Sequence, residues 1–257
     1  MGEAITERPA AGQSWDAEGY ARHAGFVPAL GGEVLALLAP RPGERILDIG
    51  CGDGALTAEI AAAGAQVVGL EPDPSLAARA RERGITVLAQ DAHEPFGTGE
   101  YDAIFSNAAL HWMRAPEVVL TNAFAALRPG GRFVAEQGGL GNVAAVLVAM
   151  NAALEAAGHG ASSGNPWDFP SAARQRARLE RAGFRLREIR LIPRPTPLPT
   201  GFEGWLETFG TPLFGGLAPA ERAAVSADCA RRLAHLCDET GRAFADYVRL
   251  RFAAEKP

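Results

Sequence analysis

At 257 residues and 47% hydrophobic content, the chain can bury a full core as one large α/β domain or one domain with an insertion, and it is too apolar for disorder. Its net charge of −5 gives no electrostatic pull toward DNA or RNA, no apolar run approaches the ~18 residues of a membrane span, and Met1 to Gly12 lack the apolar core of a signal peptide. Three cysteines, Cys51, Cys229 and Cys237, show neither metal spacing nor a disulfide framework, so the expectation is a cytoplasmic protein that engages neither nucleic acid nor membrane.

Ser14 can cap a helix from Trp15 to about His23, and a second helix, Pro28 to Leu38, carries Leu30, Val34, Leu37 and Leu38 at helical spacing. This segment gathers Trp15, Tyr20, His23 and Phe26, which serve either as core or as a lid, residues 1–40, over a ligand. Pro40, Pro42 and Gly43 lead into Glu44–Ile49, whose Ile46, Leu47 and Ile49 form a short apolar run closed by Gly50, Cys51, Gly52, Asp53 and Gly54 and followed by a helix from Ala55 to Ala63. Strand, glycine turn and helix form a nucleotide-holding unit: glycines let the backbone approach the ligand, and the helix start offers free N–H groups. Asp48, at the strand's carboxyl end, repels a pyrophosphate and favours a ligand bearing an amine.

The second strand, Gln66–Leu70, ends in Glu71 and Pro72, about twenty residues past the turn, where an acid can accept from both ribose hydroxyls. A helix from Pro74 or Ser75 to Arg83 follows, then a third strand, Ile85–Ala89, with Asp91 and Ala92 placed to read an adenine amine and ring edge. The fourth strand is Tyr101–Asn107, followed by Ala108-Ala109-Leu110-His111-Trp112. A helix, Pro116–Leu127, turns through Arg128-Pro129-Gly130-Gly131 into the fifth strand, Arg132–Gln137. Helices Asn142–Ala157 and Ser171–Ala182 precede a strand at Phe184–Ile192. The four prolines of 193–200 read as an extended linker, helices run at about Phe202–Phe209 and Pro219–Cys237, and a last strand spans Ala243–Ala253.

Alternating strands and helices predict an α/β, Rossmann-like, mostly parallel sheet with right-handed crossovers and helices on both faces. We divide it into a lid (1–40), a ligand-binding core (41–192), a helical insert acting as substrate cap (193–242) and the final strand with its tail (243–257). The glycine pattern alone fits two ligands. Gly50, Gly52 and Ala55 satisfy the loose dinucleotide fingerprint, which would make the protein a nicotinamide-dependent oxidoreductase. No second fingerprint follows Phe133, however, and three acids at successive strand ends suit an ammonium, a ribose and an adenine amine better than a diphosphate.

Asp48-x-Gly50-x-Gly52-x-Gly54, together with Leu127-Arg128-Pro129-Gly130-Gly131-Arg132-Phe133, resembles the motifs of class I S-adenosylmethionine (SAM) methyltransferases over nearly the whole chain. The segment Ser106–Trp112 and the insert before the last strand are similar to the trans-aconitate and malonyl-carrier-protein methyltransferases. The resemblance implies seven strands with the last antiparallel, SAM as cofactor, S-adenosylhomocysteine as product, and a small-molecule acceptor methylated on O, N or C. It implies that Asp48, Gly50, Cys51, Gly52 and Gly54 border the methionine moiety, that Glu71 and Pro72 hold the ribose and that Asp91 and Ala92 read adenine. Asn107 and Leu110 then border the sulfonium, with Tyr20 and His23 closing the pocket. Its placement of His111 after the fourth strand makes that residue the candidate general base, with Trp112 and Trp205 lining the acceptor pocket. A fold kept only as a SAM-binding module stays open as a third reading.

Overall fold

The computed structural model describes residues 30–160 and 165–257. Seven strands form one sheet: β1 (Arg45–Ile49), β2 (Gln66–Leu70), β3 (Thr86–Leu88), β4 (Tyr101–Asn107), β5 (Leu127–Gly138), β6 (Arg185–Pro197) and β7 (Phe244–Glu255). Their order is β3-β2-β1-β4-β5-β7-β6. The pairs among β1 to β5 are parallel, and β7 runs antiparallel to both β5 and β6. The expected sheet, with its antiparallel last strand, is the one observed.

The central strands are buried on both faces, so they read as apolar runs whose alternation sorts residues between two cores. Leu47, Ile49, Ile104 and Phe133 face one side, where α4 (Pro116–Ala126) and α6 (Ala172–Arg181) supply Val119, Leu120, Ala123 and Leu179. Ile46, Phe105 and Val134 face the other, against Val34 and Leu38 of α1 (Gly32–Leu38) and Leu56 and Ile60 of α2 (Ala55–Ala62). Helix α3 (Pro74–Glu82) opens as expected on a proline, with Asp73 accepting from the Ser75 and Leu76 N–H groups. A third cluster joins α5 (Ala144–Ala156) to the helices between β6 and β7, namely α7 (Gly201–Phe209), α8 (Thr211–Phe214) and α9 (Pro219–Arg232), through Met150, Trp205, Phe209, Phe214 and Cys229.

Several boundaries differ from the sequence reading. The prolines of 193–197 are strand, not linker: β6 continues to Pro197, paired with Phe244. It is the sheet's edge, and the Leu198 N–H donates to Ala243 O at 2.9 Å. Counting back by twos from Leu198, Thr196 and Arg194 also face β7, so Pro193, Pro195 and Pro197 turn their missing N–H outward, as an edge strand allows. The expected turn at Arg128–Gly131 lies inside the bounds of β5, where four residues stand opposite Asp102 and the register with β4 shifts between Tyr101 and Ala103. Helix α5 starts two residues late because Val143 is left-handed at φ 47° and the Asn142 side chain accepts from the Val248 N–H. Helix α9 ends at Arg232, and Ala234–Leu236 is a separate 3-10 turn. β3 is only Thr86–Leu88.

Candidate active site

The glycine turn is built as the pattern requires. Gly50, Gly52 and Gly54 have φ of 71°, 58° and 80°, a region L side chains avoid. Gly50 and Cys51 N–H groups donate to Leu70 O, so β1's exit is tied to that of β2. A Cβ on Gly50 would lie 2.3 Å from the Cβ of Ala109, because the loop after β4 passes directly over the turn. Ser106 Oγ donates to Ile49 O at 2.8 Å and fixes that approach. Ala108, next in the loop, is left-handed at φ 56°, and strain of this kind persists where surrounding structure enforces it.

Asp48 lies one residue inside the strand end, 3% exposed, and its Oδ2 accepts from Thr57 Oγ1 of α2 at 2.6 Å. Burial, opposed by the Thr57 hydrogen bond and helped by nearby Glu71, pushes its pKa up to about 7. Glu71 straddles two loops: Oε2 accepts from the Gly52 N–H at 3.0 Å and Oε1 from the Asp73 N–H at 2.9 Å. Its pKa is raised by burial. Cys51 is buried, and its thiol is pushed up by burial and by Asp48 and Glu71, which makes it an inert packing group. Gly69 of β2 leaves it room, since a Cβ there would sit 2.5 Å from Cys51 Sγ.

Asp91 follows β3, and its side chain is 58% exposed, accepting from the His93 N–H. Ala92 is buried. The three acids thus occupy consecutive strand ends, the inner two close enough for Glu71 to act on Asp48. Asn107 ends β4 and lines a cavity with Glu136, Arg194, Tyr247 and Arg249. Leu110 turns its side chain into the main core. His111 is buried; its Nδ1 accepts from the Gly138 N–H at 3.3 Å. Burial and the neighbouring Arg249 hold its pKa well below the ordinary value. That geometry describes a neutral ring with the proton on Nε2. Trp112 stacks on Phe209 and meets Trp167 edge-on, while Trp205 is buried with Nε1 donating to Tyr247 Oη at 2.7 Å. Tyr20 and His23 lie outside the described residues.

Sequence reasoning missed Glu136, Arg194 and Arg249. They stand on three different strands, more than fifty residues apart from one to the next, so no local pattern announces them.

Strand, glycine turn and helix, with carboxylates at three neighbouring strand ends of a 3-2-1-4-5-7-6 sheet, define a nucleoside-binding α/β enzyme. Residues 47–135 match the family model described as a methyltransferase domain. An uncharacterised methyltransferase of Schizosaccharomyces pombe is 34% identical over 254 residues, which is 94% of this chain and 98% of that protein. The chain belongs to the methyltransferase family, as a SAM-dependent enzyme. A trans-aconitate 2-methyltransferase of Mycobacterium tuberculosis is 31% identical over 45% of each chain. Among solved structures, the Haemonchus contortus phosphoethanolamine N-methyltransferase 2, in complex with phosphomonomethylethanolamine and S-adenosylhomocysteine, shares the fold. Its TM-score is 0.59 at 17% identity, over 94% of this chain and 57% of that one.

Proposed function

We propose that the protein transfers the methyl group of SAM to O, N or C of a small-molecule acceptor bound beside Asn107. The observation that supports this acceptor class is the Asn107 cavity, walled by buried side chains of β5 and β7 in a chain of net charge −5. A concave site suits a compact molecule; a polymer needs a long basic track.

In this reading Glu71 accepts from the ribose hydroxyls on the lone pairs its two backbone donors leave free, and Gly50, Gly52 and Gly54 pass the methionine moiety. Cys51 and Pro72 shape the two turns, and Asp91 with Ala92 faces adenine. Asn107 and the Leu110 backbone border the sulfonium, with Tyr20 and His23 proposed from the sequence to close the pocket. Bound SAM supplies an electrophilic methyl on a good leaving group, so the protein's task is placement. His111 presents Nε2–H as a donor; acting as a base requires the other tautomer. Trp205 stands behind the acceptor side, donating to the cavity-lining Tyr247, and Trp112 packs in the adjoining aromatic cluster.

Glu71→Ala should weaken SAM by about 1–3 kcal/mol, the scale of a lost charged hydrogen bond, as read by calorimetry; unchanged affinity rejects the ribose role. Methyl transfer from labelled SAM should appear with small metabolites, and labelling confined to tRNA or rRNA rejects the acceptor class.

Asp48 sets a pH dependence. Its folded pKa of about 7 stands above the ordinary 3.8, so the free protein binds a proton that the unfolded chain releases. Stability from this group is full below the unfolded value and is lost as pH rises through the folded one. An ammonium ligand needs the ionised form. SAM affinity should therefore climb between about pH 6 and 7.5, by up to ~10-fold per unit, and Asp48→Asn should flatten the climb in titration calorimetry.

A further inference from the structure

Beside the donor site lies a buried charge cluster that the transfer reading leaves unused. Glu136, 1% exposed, is at its centre. Arg194 grips it with two hydrogen bonds, Nη1 to Oε1 at 2.7 Å and Nη2 to Oε2 at 3.0 Å. Arg251 donates Nε to Oε2 at 2.8 Å and Nη2 to Glu33 Oε2 at 2.8 Å. Arg249 has the poorest share: its nearest carboxylate oxygen, Glu136 Oε1, is 3.5 Å from Nε. Among the described residues, then, three guanidinium groups face two carboxylates, and one positive charge is left over.

That excess is held at Arg249, whose side chain is 9% exposed. Burial lowers its pKa and Arg194 adds to the effect, against the pull of Glu136. A buried cation without a full partner is unfavourable, and an incoming anion relieves it. The guanidinium also lines the cavity that Asn107, Thr196 and Tyr247 share, with the Tyr247 ring centroid 5.8 Å from its Cζ. The cavity's Asn107 wall precedes the strained loop that crosses the glycine turn, so a ligand there adjoins the donor side.

We propose that this cavity receives a carboxylate of the methyl acceptor, with Arg249 as the forked donor and Arg194, oriented by Glu136, as the second charge. The proposal rests on the small-molecule transfer reading above and adds its substrate class. One excess charge matches a monoanionic carboxylate and is overshot by a phosphate dianion. The planar fork of an arginine fits two carboxylate oxygens at once.

The test uses the full chain loaded with S-adenosylhomocysteine. Calorimetry measures acetate and benzoate against acetamide, benzamide and inorganic phosphate, on wild type, Arg249→Gln and Arg249→Lys. The carboxylates should bind the wild type at least ten-fold tighter than their amides and tighter than phosphate. Arg249→Gln should lose that preference, Arg249→Lys should keep part of it, and SAM affinity should stay within two-fold in both. Thermal unfolding accompanies each variant, and if the Gln variant does not fold, the Lys variant alone must show a several-fold loss. Carboxylates binding no better than amides, phosphate binding as tightly as acetate, or a preference that survives the loss of Arg249 each overturn the proposal. Failure of the wild type to bind SAM sinks the transfer reading instead.

Discussion

Gly50→Ala should abolish measurable SAM binding and lower the unfolding midpoint further than the related change Gly52→Ala does. Both glycines are left-handed, at φ 71° and 58°, so both alanines incur the same backbone penalty of roughly 1–2 kcal/mol. Only Gly50 adds a collision, with the Ala109 Cβ 2.3 Å from the new methyl, whereas nothing lies within 4 Å of a Cβ at Gly52. Ala109 has no long side chain to swing away, so the loop after β4 must move. That loop is tied down by Ser106 to Ile49 O and by the Ala108 N–H to Glu136 O at 2.8 Å. Moving it pulls Asn107 away from the turn. The expected result is a loss of SAM affinity of at least 100-fold, close to 3 kcal/mol, with an unfolding midpoint lower than that of Gly52→Ala. Equal effects of the two changes would show that the crossing of loop and turn does not matter.

Glu136→Ala should be the most destabilising single carboxylate deletion. It strips Arg194 of its bidentate partner and leaves Arg249 and Arg251, both under a tenth exposed, with Glu33 on Arg251 as the one carboxylate partner remaining among the described residues. Removing one member of a buried ionic group costs about 3–5 kcal/mol. At roughly 2–4 °C per kcal/mol for a chain of this size, the midpoint should fall by on the order of 10 °C. The exposed pair Arg176 with Glu180, 3.8 Å apart and over half exposed on each side, is the comparison. There solvent and side-chain entropy cancel most of the attraction, and Glu180→Ala should change stability by about 0.5 kcal/mol or less. Thermal unfolding of the two variants side by side checks the claim; similar shifts would mean that the buried cluster is already well hydrated.

The donor half of the molecule was legible because its information is local. Gln66–Leu70 and Tyr101–Asn107 fall where their apolar runs place them, and the glycine turn sits between strand and helix as its spacing requires. The acceptor half was illegible for a physical reason. Glu136 meets Arg194 and Arg249 only because β7 inserts between β5 and β6, a fact of sheet topology that no window of residues records. The proline run misled in the opposite direction. Its alternation with Arg194 and Thr196 is strand periodicity, and edge placement, which turns each proline nitrogen to solvent, is invisible until the neighbouring strand is known. His111 was placed correctly after the fourth strand, but the tautomer that Gly138 imposes comes from a contact between β5 and the loop after β4 that forms only in the folded chain.

The antiparallel insertion of β7 has a consequence for biogenesis. β5 and β6 leave the ribosome long before Phe244–Glu255 does, and each must wait with an unpaired edge for the strand that separates them. Until it arrives, the nascent chain carries two open hydrogen-bonding rims and an arginine-poor cavity, a state prone to strand addition from other chains. Completion of the fold and completion of the Arg249 subsite are thus one event, so a premature stop before that strand forfeits both together.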